Sequence, residues 1–177
     1  MIEVRASKSA IEHQEGLLHL WIRYAANRGA LQARIELSVA AGLRRSANRN
    51  GFNEDETGVI VLYELAAPID IIVELYTTDP IEVGEKVVVV AATSRDREGI
   101  EHREERIVPI PVVAGDAAEA IETDERTVAV VKRLPPDAGS VEPLRVYAPD
   151  RSLRIDPKSI SEQEKKYRII GRDSAAG

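Results

Sequence analysis

From Leu31 to Val39 the chain reads Leu-Gln-Ala-Arg-Ile-Glu-Leu-Ser-Val, apolar and polar residues in strict alternation. Successive side chains of a β-strand point to opposite faces, so this segment has the period of a strand with one buried and one wet face. The pattern recurs. Leu18, Leu20, Ile22 and Tyr24 alternate with His19, Trp21 and Arg23, and Ile69, Ile71, Val73 and Leu75 alternate with Asp70 and Glu74. Further strands are expected at Ile2 to Ala6, Val59 to Leu65, Lys86 to Thr93 and Arg103 to Val113. The run of apolar residues in Lys86 to Thr93 suits a strand covered on both sides or lying near a domain contact. Asn27-Arg28-Gly29 has turn chemistry, which predicts that the strands on either side form a hairpin. Leu43 to Glu56 reads as a polar loop. Pro109 and Pro111 place the last long strand at a sheet edge, because proline cannot donate to a ladder.

About seven strands within 113 residues, separated by turns, predict an all-β fold: an immunoglobulin-like antiparallel β-sandwich. The composition changes at Ala114. We expect residues 1–113 to form the sandwich and residues 114–177 a small β-rich C-terminal extension docked on it. Within that extension, short strands are expected at Thr127 to Lys132, Leu144 to Ala148, Ser152 to Asp156 and Tyr167 to Ile170. Asp116 with Glu119, and Ser161 with Glu164, have the spacing of capped helical turns. Residues 174–177 are expected to be a disordered tail.

Composition narrows the function. The chain has 177 residues, a net charge of −6 and no cysteine. It therefore lacks disulfides, thiolate metal sites and a cysteine nucleophile. The negative charge opposes nucleic-acid binding, and no apolar run approaches the length needed to insert in a membrane. Arginine outnumbers lysine 18 to 6 and only seven residues are Asn or Gln. This bias suits either a thermostable protein or a GC-rich genome. No secretory signal precedes the first strand, so a cytoplasmic location is expected.

Several segments resemble archaeal and bacterial Ig-like repeats. Leu18 to Gly29 is similar to their opening strand and Asn-x-Gly turn, and Ile35 to Leu43 to the strand that follows. Leu62 to Pro68, Ile81 to Val90 and Arg97 to Val113 match their later strands and turns in order. The resemblance, over residues 1–113, is to Ig-like domains of the CARDB and alpha-galactosidase-associated type. Ala67-Pro68-Ile69 lacks the glycine of their usual turn. The resemblance implies binding or spacing rather than catalysis and transfers no residue-level site.

No cofactor is expected. His13, His19 and His102 show no metal-ligand spacing, and neither a nucleophile elbow nor a phosphate loop occurs. The residues singled out for binding a partner are Trp21, Arg44, Arg45 and Arg49. Trp21, the chain's one tryptophan, is on the polar face of its strand, where it either anchors a partner or lies under residues 114–177. The three arginines either clamp an acidic partner or are neutralised by Glu54-Asp55-Glu56. The expected function is a non-enzymatic protein–protein interaction or assembly module, joined to another protein by strand addition at an open edge that Pro109-Ile110-Pro111 partly guards. An envelope- or carbohydrate-associated module is the alternative, and a hydrolase or metal enzyme with its site hidden in the fold comes third.

Overall fold

The computed structural model describes residues 1–26, 30–63 and 65–134. Ten strands run in order: β1 (Ile2–Ala6), β2 (Ile11–Glu12), β3 (Leu17–Tyr24), β4 (Ala30–Val39), β5 (Arg44–Arg45), β6 (Asn53–Glu54), β7 (Ile60–Leu62), β8 (Ile69–Tyr76), β9 (Gly84–Asp96) and β10 (Glu101–Val113). A 3₁₀ turn (Gly115–Ala120) and one helix, α1 (Glu125–Lys132), follow. The strands form a four-stranded sheet in the order β1-β3-β8-β5 and a six-stranded sheet in the order β2-β10-β9-β4-β7-β6. This is the immunoglobulin-like β-sandwich expected from the alternation. In its lettering the two sheets read A-B-E-D and A′-G-F-C, the second extended by a short hairpin.

Period-2 patterning assigns the core. Leu18, Leu20, Ile22 and Tyr24 of β3 and Ile71, Val73 and Leu75 of β8 pack between the sheets. They meet Ala33 and Ile35 of β4, Val88, Val90 and Ala92 of β9, and Ile110 and Val112 of β10. The valine run of β9 is resolved by the pleat, with Val88 and Val90 inside and Val87 exposed on the outer face.

Three local expectations need correction. First, β3 and β4 do not form a hairpin: β3 pairs with β1 and β8, whereas β4 pairs with β7 and β9. The connection passes from one sheet to the other, as between the B and C strands of this fold. Its turn residues, Asn27 to Gly29, lie outside the described residues. Second, Thr127 to Lys132 is helical rather than a strand. Asp124 caps the helix, its side chain accepting from the N–H groups of Arg126 (3.0 Å) and Thr127 (3.4 Å) and from the Thr127 hydroxyl (2.9 Å). Local capping thus overrides the strand preference of Thr127, Val128, Val130 and Val131. Third, the turn at Gly115–Ala120 forms, but its N-cap is Ala114, with no side-chain cap.

The chain divides into two compact units, Met1–Val141 and Glu142–Gly177. Residues 121–134 belong to the first unit and are tied to the sandwich. Ser9 N–H donates to Glu122 O (2.8 Å) and Asp124 N–H to Ser7 O (2.9 Å). The strands expected at Leu144 to Ala148, Ser152 to Asp156 and Tyr167 to Ile170, the turn at Ser161, and the tail 174–177 lie outside the described residues.

Candidate interaction surface

The outer face of the four-stranded sheet carries Trp21 and the arginine segment. Trp21 is only 2% exposed. Arg126 of α1 lies over its ring, 5.4 Å from the centroid, and its Nε1–H donates to Asp70 (2.9 Å). Its cross-strand neighbour Ile72 is fully buried as well. Trp21 therefore does not stand free on the surface, and the surroundings are those of the covered alternative.

The arginines separate by role. Arg45 pairs with Glu54 (3.2 Å) and donates to the Gly58 carbonyl. Gly58 has φ +79, a left-handed conformation that favours glycine, and a Cβ there would displace the Arg45 guanidinium. Arg49 pairs with Glu74, which His19 Nε2 approaches at 3.1 Å. Partial burial works against ionisation of Glu74, but the Arg49 and His19 contacts hold its pKa below the ordinary 4.5. Arg44 is exposed in β5 and has no ion pair among the described residues. The segment's main role in the fold is to close an edge. β5 pairs with β8 at Tyr76 and Leu75. Beyond it, Ser46 N–H donates to Glu74 O (3.0 Å), Arg49 N–H to Ile72 O (2.8 Å), and Ile72 N–H to the Asn50 side chain (2.7 Å).

The six-stranded sheet is open on one side. Beyond β10 only β2 is paired, in parallel and only at Val112 and Val113. Among the described residues, no backbone hydrogen bond reaches the outer side of β10 between Glu101 and Pro111. The backbone alternates as the side chains do. Val87 O accepts from Ala40 on the β4 side of β9, which turns the even-numbered residues of β10 towards β9. His13 N–H donates to Val113 O on the outer side, in agreement. Pro109 and Pro111 therefore face outward, where their missing N–H groups cost the ladder nothing. Arg103, Glu105 and Ile107 turn their N–H groups outward, with no acceptor among the described residues.

Side chains decorate this edge unevenly. Ile107 is 71% exposed and Val87 37% exposed, and with Val89 and Pro109 they make a small apolar patch on the outer face. On the inner face His102, Glu104 and Arg106 take positions that farther along hold core residues, and inward-pointing charge at a sheet edge discourages indiscriminate pairing. Glu104 pairs with Arg106 (2.6 Å) and the Met1 amine (3.2 Å). Period-2 reading marked the prolines but did not identify the Arg103–Ile107 donors. That needed the pairing parity of β9.

The three histidines do not converge. His13 follows β2 beside Val113, His19 contacts its cross-strand partner Glu74 within the four-stranded sheet, and His102 lies 3.4 Å from Asp96 at the far end of β10. Among the described residues no three His, Asp or Glu side chains form a metal-holding group, and no helix is long and apolar enough to cross a membrane.

No family model and no curated protein matches the chain. It is similar in structure to self-complemented MyfA, the major subunit of Myf fimbriae from Yersinia enterocolitica. There the TM-score is 0.41 and the identity 11%, over 63% of this chain and 98% of that one. It is also similar to BcpA, the major pilin subunit of Bacillus cereus, with a TM-score of 0.43 and 8% identity, over 64% of this chain and 40% of that one. Neither is described as a CARDB or alpha-galactosidase-associated domain. The expected cytoplasmic location is corrected: these neighbours are a fimbrial and a pilin subunit, which point away from it.

Proposed function

We propose that the chain is a non-enzymatic assembly module that receives an extended segment of another protein along the outer edge of β10. The observation that carries this reading is the unpaired stretch of β10 with outward N–H groups at Arg103, Glu105 and Ile107. Main-chain hydrogen bonds to an added strand would supply affinity, and the apolar patch around Ile107 would favour some side chains over others. The edge of the other sheet at β8 is already closed by residues 44–50, so the two sheets are treated differently. Arg44, exposed beside that closure, and the paired Arg45 and Arg49 are secondary candidates for an acidic partner. Trp21 would contribute only after α1 moved.

The test is a Glu105→Pro variant. This substitution removes one outward N–H and leaves the bonds to β9 intact. Tagged wild-type protein is expected to recover a stoichiometric partner from native lysate, and the variant, folded by circular dichroism, to lose it. Recovery of the same partner by both would refute strand addition at this edge, and so would no stoichiometric partner for the wild type.

A further inference from the structure

The end of the sandwich near the β9–β10 turn opens into a cleft of about 400 Å³ between the two sheets. Tyr24 lines it from β3, Ala92 and Ser94 from β9, and Glu101, His102 and Glu104 from β10. Small-molecule sites commonly occupy about 300–1,000 Å³. Tyr24 and Ser94 are each 4% exposed. Among the described residues no group hydrogen-bonds to either hydroxyl, yet no buried side-chain oxygen is left both dry and unpartnered. Both residues line this cleft.

The charges around the cleft are already matched. Glu104 is held by Arg106 and the Met1 amine. Glu101 lies 3.6 Å from Arg95, and Arg103, which also lines the cleft, pairs with Glu105 at 2.7 Å. His102 Nε2 faces Asp96, whose other oxygen caps the turn through the N–H groups of Glu98 and Ile100 (2.9 Å each). Without a partner among the described residues are groups that both donate and accept, the two hydroxyls, together with the second nitrogen of His102. An ion would find no uncompensated counter-charge here, whereas an alcohol could pair with each of these groups in turn.

We propose that this cleft binds a neutral, hydroxyl-rich small molecule, a monosaccharide or a polyol, through Tyr24, Ser94 and His102. The site is independent of the β10 outer edge, because its groups point between the sheets.

The experiment follows backbone amide shifts by NMR while glucose, galactose, mannose and glycerol are added in turn at millimolar concentration. Sodium acetate serves as the anionic probe. At least one neutral probe is expected to give saturable shifts at Ala92, Ser94 and His102. Tyr24→Phe and Ser94→Ala should each weaken binding about three- to tenfold, the range for a lost neutral hydrogen bond. Amides of Leu20 and Ile35 in the core report that both variants remain folded. The proposal is overturned if no neutral probe saturates, if acetate binds more tightly than all of them, or if the double variant binds as the wild type does.

Discussion

Glu74 shows how a single carboxylate joins separate parts of this molecule. It sits on β8, receives Arg49 from the edge-closing segment and His19 from β3, and keeps its charge in spite of partial burial. Because its folded pKa lies below the ordinary 4.5, its contribution is present above that value and is lost as pH falls through the folded one. Glu74→Gln should therefore destabilise the protein by about 1.5–2 kcal/mol at neutral pH, the low end of the range for a hydrogen bond to a charged group. The difference from wild type should vanish well below pH 4.5, as read from urea unfolding at both pH values. A difference that persists in acid would show that packing, rather than charge, accounts for the effect.

At the scale of elements, α1 and β10 carry the argument. Helix α1 has eight residues, too few to be stable alone in water, and only Thr127 among them is buried. It stays in place through the Asp124 cap, the Ser7–Asp124 bond and the Arg126–Trp21 contact. Asp124→Ala is expected to cost about 1 kcal/mol and to shift the emission of Trp21 to longer wavelength as water reaches the ring. Unchanged emission would place the hold of α1 elsewhere. On β10, Pro109 and Pro111 withhold two outward donors. Pro109→Ala with Pro111→Ala restores them and should promote self-association, read by light scattering as a mass above the monomer's. A variant that matches the wild type at high concentration would show that the prolines do not guard this edge.

Much of the element layout could be read from the sequence, because its cause is local. β1 is where the apolar pattern of Ile2 to Ala6 places it, and β3, β4 and β8 differ from expectation by a residue or so. Three things were not legible. The departure of β4 from β3 into the other sheet depends on which strands compete for its edges, and a nine-residue pattern contains none of that. The role of Arg44 to Asn50 in closing β8 is a backbone effect, whereas their side chains suggested only charge. Helix α1 was hidden by β-branched residues, although Asp124 three residues before Thr127 was the available signal. The same limit applies to sites. Tyr24, Ser94 and His102 are far apart in sequence and share a cleft only because two sheets face each other.

For the whole molecule, the edge of β8 and the edge of β10 have opposite fates. The four-stranded sheet is closed by residues 44–50 along β8, and residues 122–124 pair with Ser7 to Ser9 just past the end of β1. The six-stranded sheet ends in a short β6 on one side and in the long β10 on the other. Among the described residues β10 offers a long unpaired edge along which another chain can continue the ladder, and that is the basis of the assembly reading. Residue-resolved hydrogen exchange of β10 in the free protein tests this most directly. The even-numbered amides His102, Glu104, Arg106 and Val108 should be protected, and those of Arg103, Glu105 and Ile107 should exchange quickly. Equal protection of both sets would mean that the edge is already paired, and the account would be contradicted.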